Sequence, residues 1–269
     1  MANNAGKTLG SEDFLRLHLK DLPYFRSLLR AVEASFYQDL ELPHPILDVG
    51  SGDVHFASLA FDFKIDVGID PTGTTMAEAS QFGAYEGLVQ AGGGKIPFAN
   101  NYFASALSNS VLEHIEHIDI VLEETGRVLR PGAPFVFCVP NPGYFSELAI
   151  SSFLKKMRLS GFGRAYENWF RRISRVFHAD PPEKWQQRLE NSGFKLEKWW
   201  HYFSPSALHA LEWGHFLGIP SLVSRKLTGR WILVPTRWNL ALTEFLIRRF
   251  AANDQLPDGT FTFYVARKV

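Results

Sequence analysis

The chain has 269 residues, 46% apolar and 21% charged, with 28 basic and 28 acidic side chains that leave it formally neutral. That is enough for one sizeable globular core, and the zero net charge argues against a general nucleic-acid binder. The single cysteine, Cys138, cannot form an intramolecular disulfide and lies in an apolar strand pattern; no Cys/His cluster has zinc spacing, so no metal is expected.

The first ten residues lack the basic-then-apolar layout of a signal peptide, and no window of about 18 residues is free of charge. A cytoplasmic location is the expectation. Ser11, followed by Glu12 and Asp13, reads as a helix start with a hydroxyl N-cap and acids in the first turn. Asp21-Leu22-Pro23 opens a second helix, whose Phe25, Leu28, Leu29, Val32 and Phe36 share one face.

From Pro45 to Val139 strands and helices alternate, with strands expected near 45–49, 65–69, 87–90, 104–108 and 134–139. Such alternation implies an α/β fold, a parallel sheet with helices on both faces. The first strand ends in Asp48 and runs into Gly50-Ser51-Gly52, with a helix from near His55. Glycines there permit positive φ and close approach of backbone N–H groups to a ligand. The second strand ends in Asp70, about 20 residues on, an offset at which a carboxylate takes both hydroxyls of a ribose. Taken alone, Gly-x-Gly is most often a turn. A nicotinamide site is a competing reading, but it wants a third glycine where this chain has His55.

Glu113 to Arg130 is expected as a helix closed by Gly132 after Pro131, with His114 and His117 projecting to one side. The stretch from Pro140 to Asp180 reads as an insertion. Pro181-Pro182 then starts a helix to Asn191, and 195–203 is the next strand. Residues 204–258 form a second insertion, with a helix capped by Ser204 and another over 239–249, before a last strand at 260–267. Between Gly143 and Phe250 there are 17 Lys and Arg against 8 Asp and Glu, and all seven tryptophans lie in the same region. This is either a solvated basic face or a site for an apolar or acidic substrate reached from a membrane surface.

In order and spacing these segments resemble the class I S-adenosylmethionine-dependent methyltransferases of the small-molecule type. The likeness is strongest over 45–140, through Asp48 to Gly52, Asp70, Ile96-Pro97-Phe98, Asn109 to Ile115 and Arg127 to Gly132. It implies a Rossmann-like, mostly parallel sheet whose final strand runs antiparallel between the strands at 196–202 and 134–139. It further implies one domain over 1–269: an N-terminal helical lid (1–44), a cofactor-binding core (45–140), and insertions at 141–180 and 204–258 that cap the substrate.

The implied cofactor is S-adenosylmethionine. Gly50, Ser51 and Gly52 would face its methionine end, with Asp48 supporting that loop. Asp70 would hold the ribose, Pro71 would pack near the adenine, and Asn109 and Ser110 would line the cleft. The acid that usually meets the adenine amino group aligns with Gly92, so the backbone of Gly92 and Gly93 stands in its place. Val54 replaces a glycine that many relatives carry. His114 is the candidate base, with Tyr144 and His178 behind it; His178 matches a histidine that often precedes the following helix. The implied activity is methyl transfer to a small, apolar or lipid-like acceptor. A catalytically inactive cofactor-binding protein, or a peripheral membrane module built on the basic, aromatic insertions, are the alternatives.

Overall fold

The computed structural model describes residues 13–52, 54–73 and 83–269. Its strands are β1 (Ile46–Val49), β2 (Ile65–Asp70), β3 (Tyr85–Gln90), β4 (Ser105–Asn109), β5 (Pro134–Pro140), β6 (Phe194–Tyr202) and β7 (Phe261–Lys268). They form one sheet in the order β3-β2-β1-β4-β5-β7-β6. The first five are parallel, with Leu47 of β1 beside Val67 on one side and Ala106 on the other. β7 enters antiparallel between β5 and β6, pairing Val136 with Val265 and Trp200 with Phe263. This is the placement expected of the last strand.

The apolar runs 46–49 and 135–139 are buried throughout, as a sheet covered on both faces requires. On one face lie α1 (Phe14–Leu19), α2 (Tyr24–Tyr37), α3 (His55–Ala60) and α9 (Pro205–Leu217). On the other lie α4 (Ile118–Val128) and α8 (Pro182–Asn191). Trp185 of α8 is fully buried between the rings of Phe137 and Tyr264, and truncating it to alanine would cost about 3–5 kcal/mol.

The region between β5 and α8 holds α5 (Gly143–Ser146), α6 (Ala149–Lys156) and α7 (Ser160–Ser174). After β6 come α9, α10 (Ile219–Thr228) and α11 (Arg237–Arg248). The buried carboxylate of Glu212 on α9 joins the two regions. It accepts the N–H groups of Ala149 and Ile150 at the start of α6, and the hydroxyl of Tyr166 on α7 at 2.6 Å. A carboxylate at a helix N-terminus satisfies otherwise unpaired donors and complements the helix dipole. Among the described residues no helix is long and apolar enough to cross a membrane.

Three expectations need correction. Ser11 and Glu12 lie outside the described residues, and Asp13, expected in the first helical turn, is itself the N-cap, accepting the Arg16 N–H at 3.3 Å. The helix expected over 113–130 is split into a 3₁₀ turn at Leu112–His114 and α4. The cause is competition for carbonyls. The N–H groups of Phe177 and His178 donate to the Glu113 carbonyl, and the His178 ring donates to those of Ile115 and Glu116. Finally, α10 has no counterpart in the sequence reading, and α11 starts at Arg237 rather than at Asn239.

Candidate active site

The loop after β1 is shaped by residues with positive φ: Gly50 (87°), Gly52 (53°) and Val54 (65°). The N–H groups of Gly50 and Ser51 both donate to the Ile69 carbonyl, at 2.9 and 3.0 Å, which binds the loop to the end of β2. A Cβ on Gly50 would collide with Val111, whereas one on Gly52 would meet nothing nearer than the Gly50 carbonyl at 3.9 Å. The loop is therefore packed beneath and open above Gly52. Val54 tolerates a conformation that suits glycine because its side chain is buried as the N-cap of α3.

Asp70 closes this loop. Its Oδ2 accepts the Gly52 N–H at 3.1 Å and its Oδ1 the Thr72 N–H at 2.8 Å. Each oxygen keeps a further lone pair for a hydroxyl donor. Asp48 is buried and accepts the hydroxyl of Tyr85. Burial raises its pKa to about 7, the Tyr85 hydrogen bond opposing and the Asp70 charge adding. The ring of Tyr85 and Cβ of Ser51 both lie where a Cβ on Gly68 would stand, so Asp48 reaches the glycine loop through Tyr85. Pro71 is exposed beside β2, its carbonyl accepting from Gln90 at 3.2 Å. A Cβ on Gly92 would meet nothing within 4 Å, while one on Gly93 would press on Val121 at 2.8 Å. Gly93 is thus required by packing, and Gly92 leaves open space.

At the end of β4, Asn109 and Ser110 turn toward α2. Glu33, fully buried on that helix, accepts from Asn109 Nδ2 (2.7 Å), the Ser110 hydroxyl (2.8 Å) and the Tyr202 hydroxyl (2.9 Å). Burial raises the Glu33 pKa against the pull of these donors. The sequence reading passed over Glu33, although its spacing from Leu29 and Phe36 sets it on the apolar helix face. An acid there announces a buried partner network.

Beside this network is a cavity of about 310 Å³. It is lined from α2 by Phe25, Arg26, Leu29, Arg30 and Glu33, and from the β4 end by Ser110, Glu113 and His114. Tyr144, Ile173, Ser174 and Val176 come from the 141–180 region, Leu211 and His215 from α9, with Pro140 and Phe261 beneath. Within 204–258, α9 alone reaches it.

The Nδ1 of His114 lies 2.9 Å from the Arg175 carbonyl. A carbonyl can only accept, so Nδ1 carries the proton and Nε2 keeps its lone pair. Burial lowers the pKa of this ring. Oε1 of Glu113 lies 3.8 Å from that Nε2, and Oε2 of Glu113 has no hydrogen-bond partner among the described residues. Burial pushes Glu113 up to about 8, with the Glu33 charge adding. Glu113 was also missed as a site residue by the sequence reading, which took it only as the first residue of a helix. Burial raises the Tyr144 phenol, which keeps it protonated, and the His178 ring is spent on main-chain carbonyls away from the cavity.

The residues present fit S-adenosylmethionine. The space above Gly52 is open, the buried Ser51 hydroxyl oxygen lacks a partner among the described residues, and Asp70 offers acceptors at a strand end, where open α/β sheets bind ligands. Comparison with known proteins agrees. Residues 47–137 match the family model of a methyltransferase domain. An uncharacterized methyltransferase of Mycolicibacterium gilvum is 30% identical over 208 residues, covering 75% of this chain and 72% of that one. In fold the chain resembles a methyltransferase of Haloferax volcanii solved with its Trm112 activator (TM-score 0.56, 12% identity, 96% and 99% of the two chains). It also resembles a possible histamine N-methyltransferase of Thermotoga maritima (TM-score 0.52, 15% identity, 94% and 92%). The chain belongs to the class I S-adenosylmethionine-dependent methyltransferases, with S-adenosylmethionine as its methyl donor.

Proposed function

We propose that this enzyme methylates a small, apolar or lipid-like acceptor held in the cavity between α2, the β4 end and the 141–180 region, with His114 as general base. The observation that carries the reading is the neutral His114 ring, its Nε2 lone pair left free by the Arg175 carbonyl, at the wall of that cavity. Bound S-adenosylmethionine supplies a methyl group already activated on a sulfonium, so the protein needs chiefly to position, to exclude water and to hold a proton. In this reading Gly50, Ser51 and Gly52 cradle the methionine end, Asp48 braces them, and Asp70 takes the ribose hydroxyls. Pro71, Gly92 and Gly93 flank the adenine. Asn109 and Ser110, tied to Glu33, lock α2 down as a lid over the cleft.

His114 Nε2 takes the proton of an acceptor O–H or N–H as that atom bonds to the methyl carbon. Phe25, Leu29, Ile173 and Phe261 offer surfaces for an apolar body. The 141–180 region and α9 act as the substrate cap, and the basic, aromatic remainder of 204–258 brings the enzyme to a membrane surface. The test is transfer of labelled methyl from S-adenosylmethionine into a total lipid extract and into a water-soluble metabolite extract. Label is expected in the lipid fraction and lost with His114→Gln. Label confined to the aqueous fraction would contradict the apolar acceptor; no label in either, with S-adenosylhomocysteine still bound, would contradict turnover.

A further inference from the structure

α10 and α11 turn large apolar side chains to solvent in stripes. On α10, Ile219, Leu222, Val223 and Leu227 follow helical spacing, and the helix has no buried residue at all. α11 has two apolar faces. Leu240 and Ile247 are buried, while Trp238, Leu242 and Phe245 are 76%, 68% and 78% exposed. A helix anchored by one apolar stripe does not need a second for the fold. Exposed apolar surface of this kind marks an interaction site.

The charge on the same stretch says what covers it. Between Glu212 and Glu244 there is no acidic residue, while Arg225, Lys226, Arg230 and Arg237 punctuate the apolar positions. Lys226, Arg230 and Arg237 are exposed, and the Arg225 guanidinium sits over the Trp231 ring at 4.7 Å. A second copy of the chain meeting this face symmetrically would set cations against cations. A surface that is apolar, cationic and tryptophan-bearing matches the boundary between anionic headgroups and acyl chains.

We propose that α10 and α11 dock the enzyme on an anionic phospholipid bilayer, with Leu222, Leu227, Leu242 and Phe245 entering the acyl boundary and Lys226, Arg230 and Arg237 meeting the headgroups. This deepens the membrane reading above, and its test uses no turnover, so either can fail alone. The docked face lies on the same insertion as α9, which lines the cavity.

The experiment is co-sedimentation of the full chain with phosphatidylcholine vesicles, alone or mixed with phosphatidylglycerol. The mixed vesicles should bind at least tenfold more strongly, and binding should weaken with salt. Leu242→Ser with Phe245→Ser, both exposed positions, should weaken it at least tenfold with an unchanged circular dichroism spectrum. Lys226→Glu with Arg237→Glu should do the same and remove the salt dependence. The proposal is overturned by absence of vesicle binding, by equal binding to neutral vesicles, or by serine variants that bind as the wild type does. It is equally overturned if light scattering shows a dimer that the serine variants dissolve, since the face would then belong to a second copy.

Discussion

The main-chain carbonyl of Arg175 receives the Nδ1 proton of His114 across 2.9 Å, and that bond decides which ring nitrogen meets the cavity as a lone pair. Arg175 is the C-cap of α7 and has left-handed backbone geometry, so the end of an inserted helix sets the tautomer of a residue in the turn after β4. The insertion thereby takes part in the site.

Acid should silence the enzyme through this ring. Burial lowers the His114 pKa from 6.5, so the base is neutral at pH 7 and protonates only further into acid. Turnover at saturating donor is expected to be flat near neutrality and to fall with a midpoint below 6.5. His114→Gln should lower kcat about 10²–10⁴-fold and leave S-adenosylhomocysteine affinity unchanged. A flat profile down to pH 5, or a variant with full activity, would remove His114 from the reaction.

Stability should depend on pH through Glu113. Its folded-state pKa is raised from 4.5 to about 8, so the folded state holds the proton more tightly than the unfolded one. The resulting stabilisation is complete below about 4.5 and is lost as pH rises through 8, amounting to a few kcal/mol. Asp48, raised from 3.8 to about 7, acts in the same direction over a lower window. Thermal melting should therefore fall between pH 5 and pH 9, and Glu113→Gln should reduce that slope and melt above wild type at pH 9. A Glu113→Gln protein with the wild-type slope would show that Glu113 does not titrate there.

Val54 offers a test of strain. A β-branched residue at φ 65° carries about 1–2 kcal/mol of conformational cost, and its burial gains about 2 kcal/mol. Val54→Gly removes both and should change stability by less than about 1 kcal/mol. Val54→Ala keeps the strain and loses the packing, and should cost about 1–2 kcal/mol. Urea midpoints should rank glycine above alanine, the reverse of their order inside a helix. Alanine above glycine would show that the left-handed geometry is not held in solution.

Gly92 should accept an acid. The space beyond its Cα is open and its φ lies outside the positive region, so Gly92→Asp adds no clash. With Gly92 beside the adenine, as proposed, the new carboxylate should accept from the adenine amino group and tighten S-adenosylhomocysteine binding by about 1–2 kcal/mol in calorimetry. Weakened binding would place the adenine elsewhere.

Much of the fold is legible in the sequence because parallel strands leave strong marks. Val49 and Asp70 end apolar runs, glycines follow the first of them, and the last strand lies antiparallel between β5 and β6 as the resemblance implied. What escaped reading depends on contacts between distant segments. The break at residues 115–117 is caused by His178, more than 60 positions away, taking the carbonyls a helix would use. Glu113 and Glu212 look like surface acids in one dimension, and become internal anchors only when the β4 end and the insertions meet, whereas Glu33 is marked by its place on the apolar face of α2. Val54 stood out as a departure from glycine, and the backbone shows how it is accommodated: valine adopts the glycine geometry.

The most direct test of the account is a crystal structure of the enzyme with S-adenosylhomocysteine. The ribose hydroxyls are expected on the two Asp70 oxygens, the methionine moiety over Gly50 to Gly52, and the thioether sulfur turned toward the cavity that holds His114. Density for the nucleoside away from Asp70, or a sulfur directed away from that cavity, would contradict it.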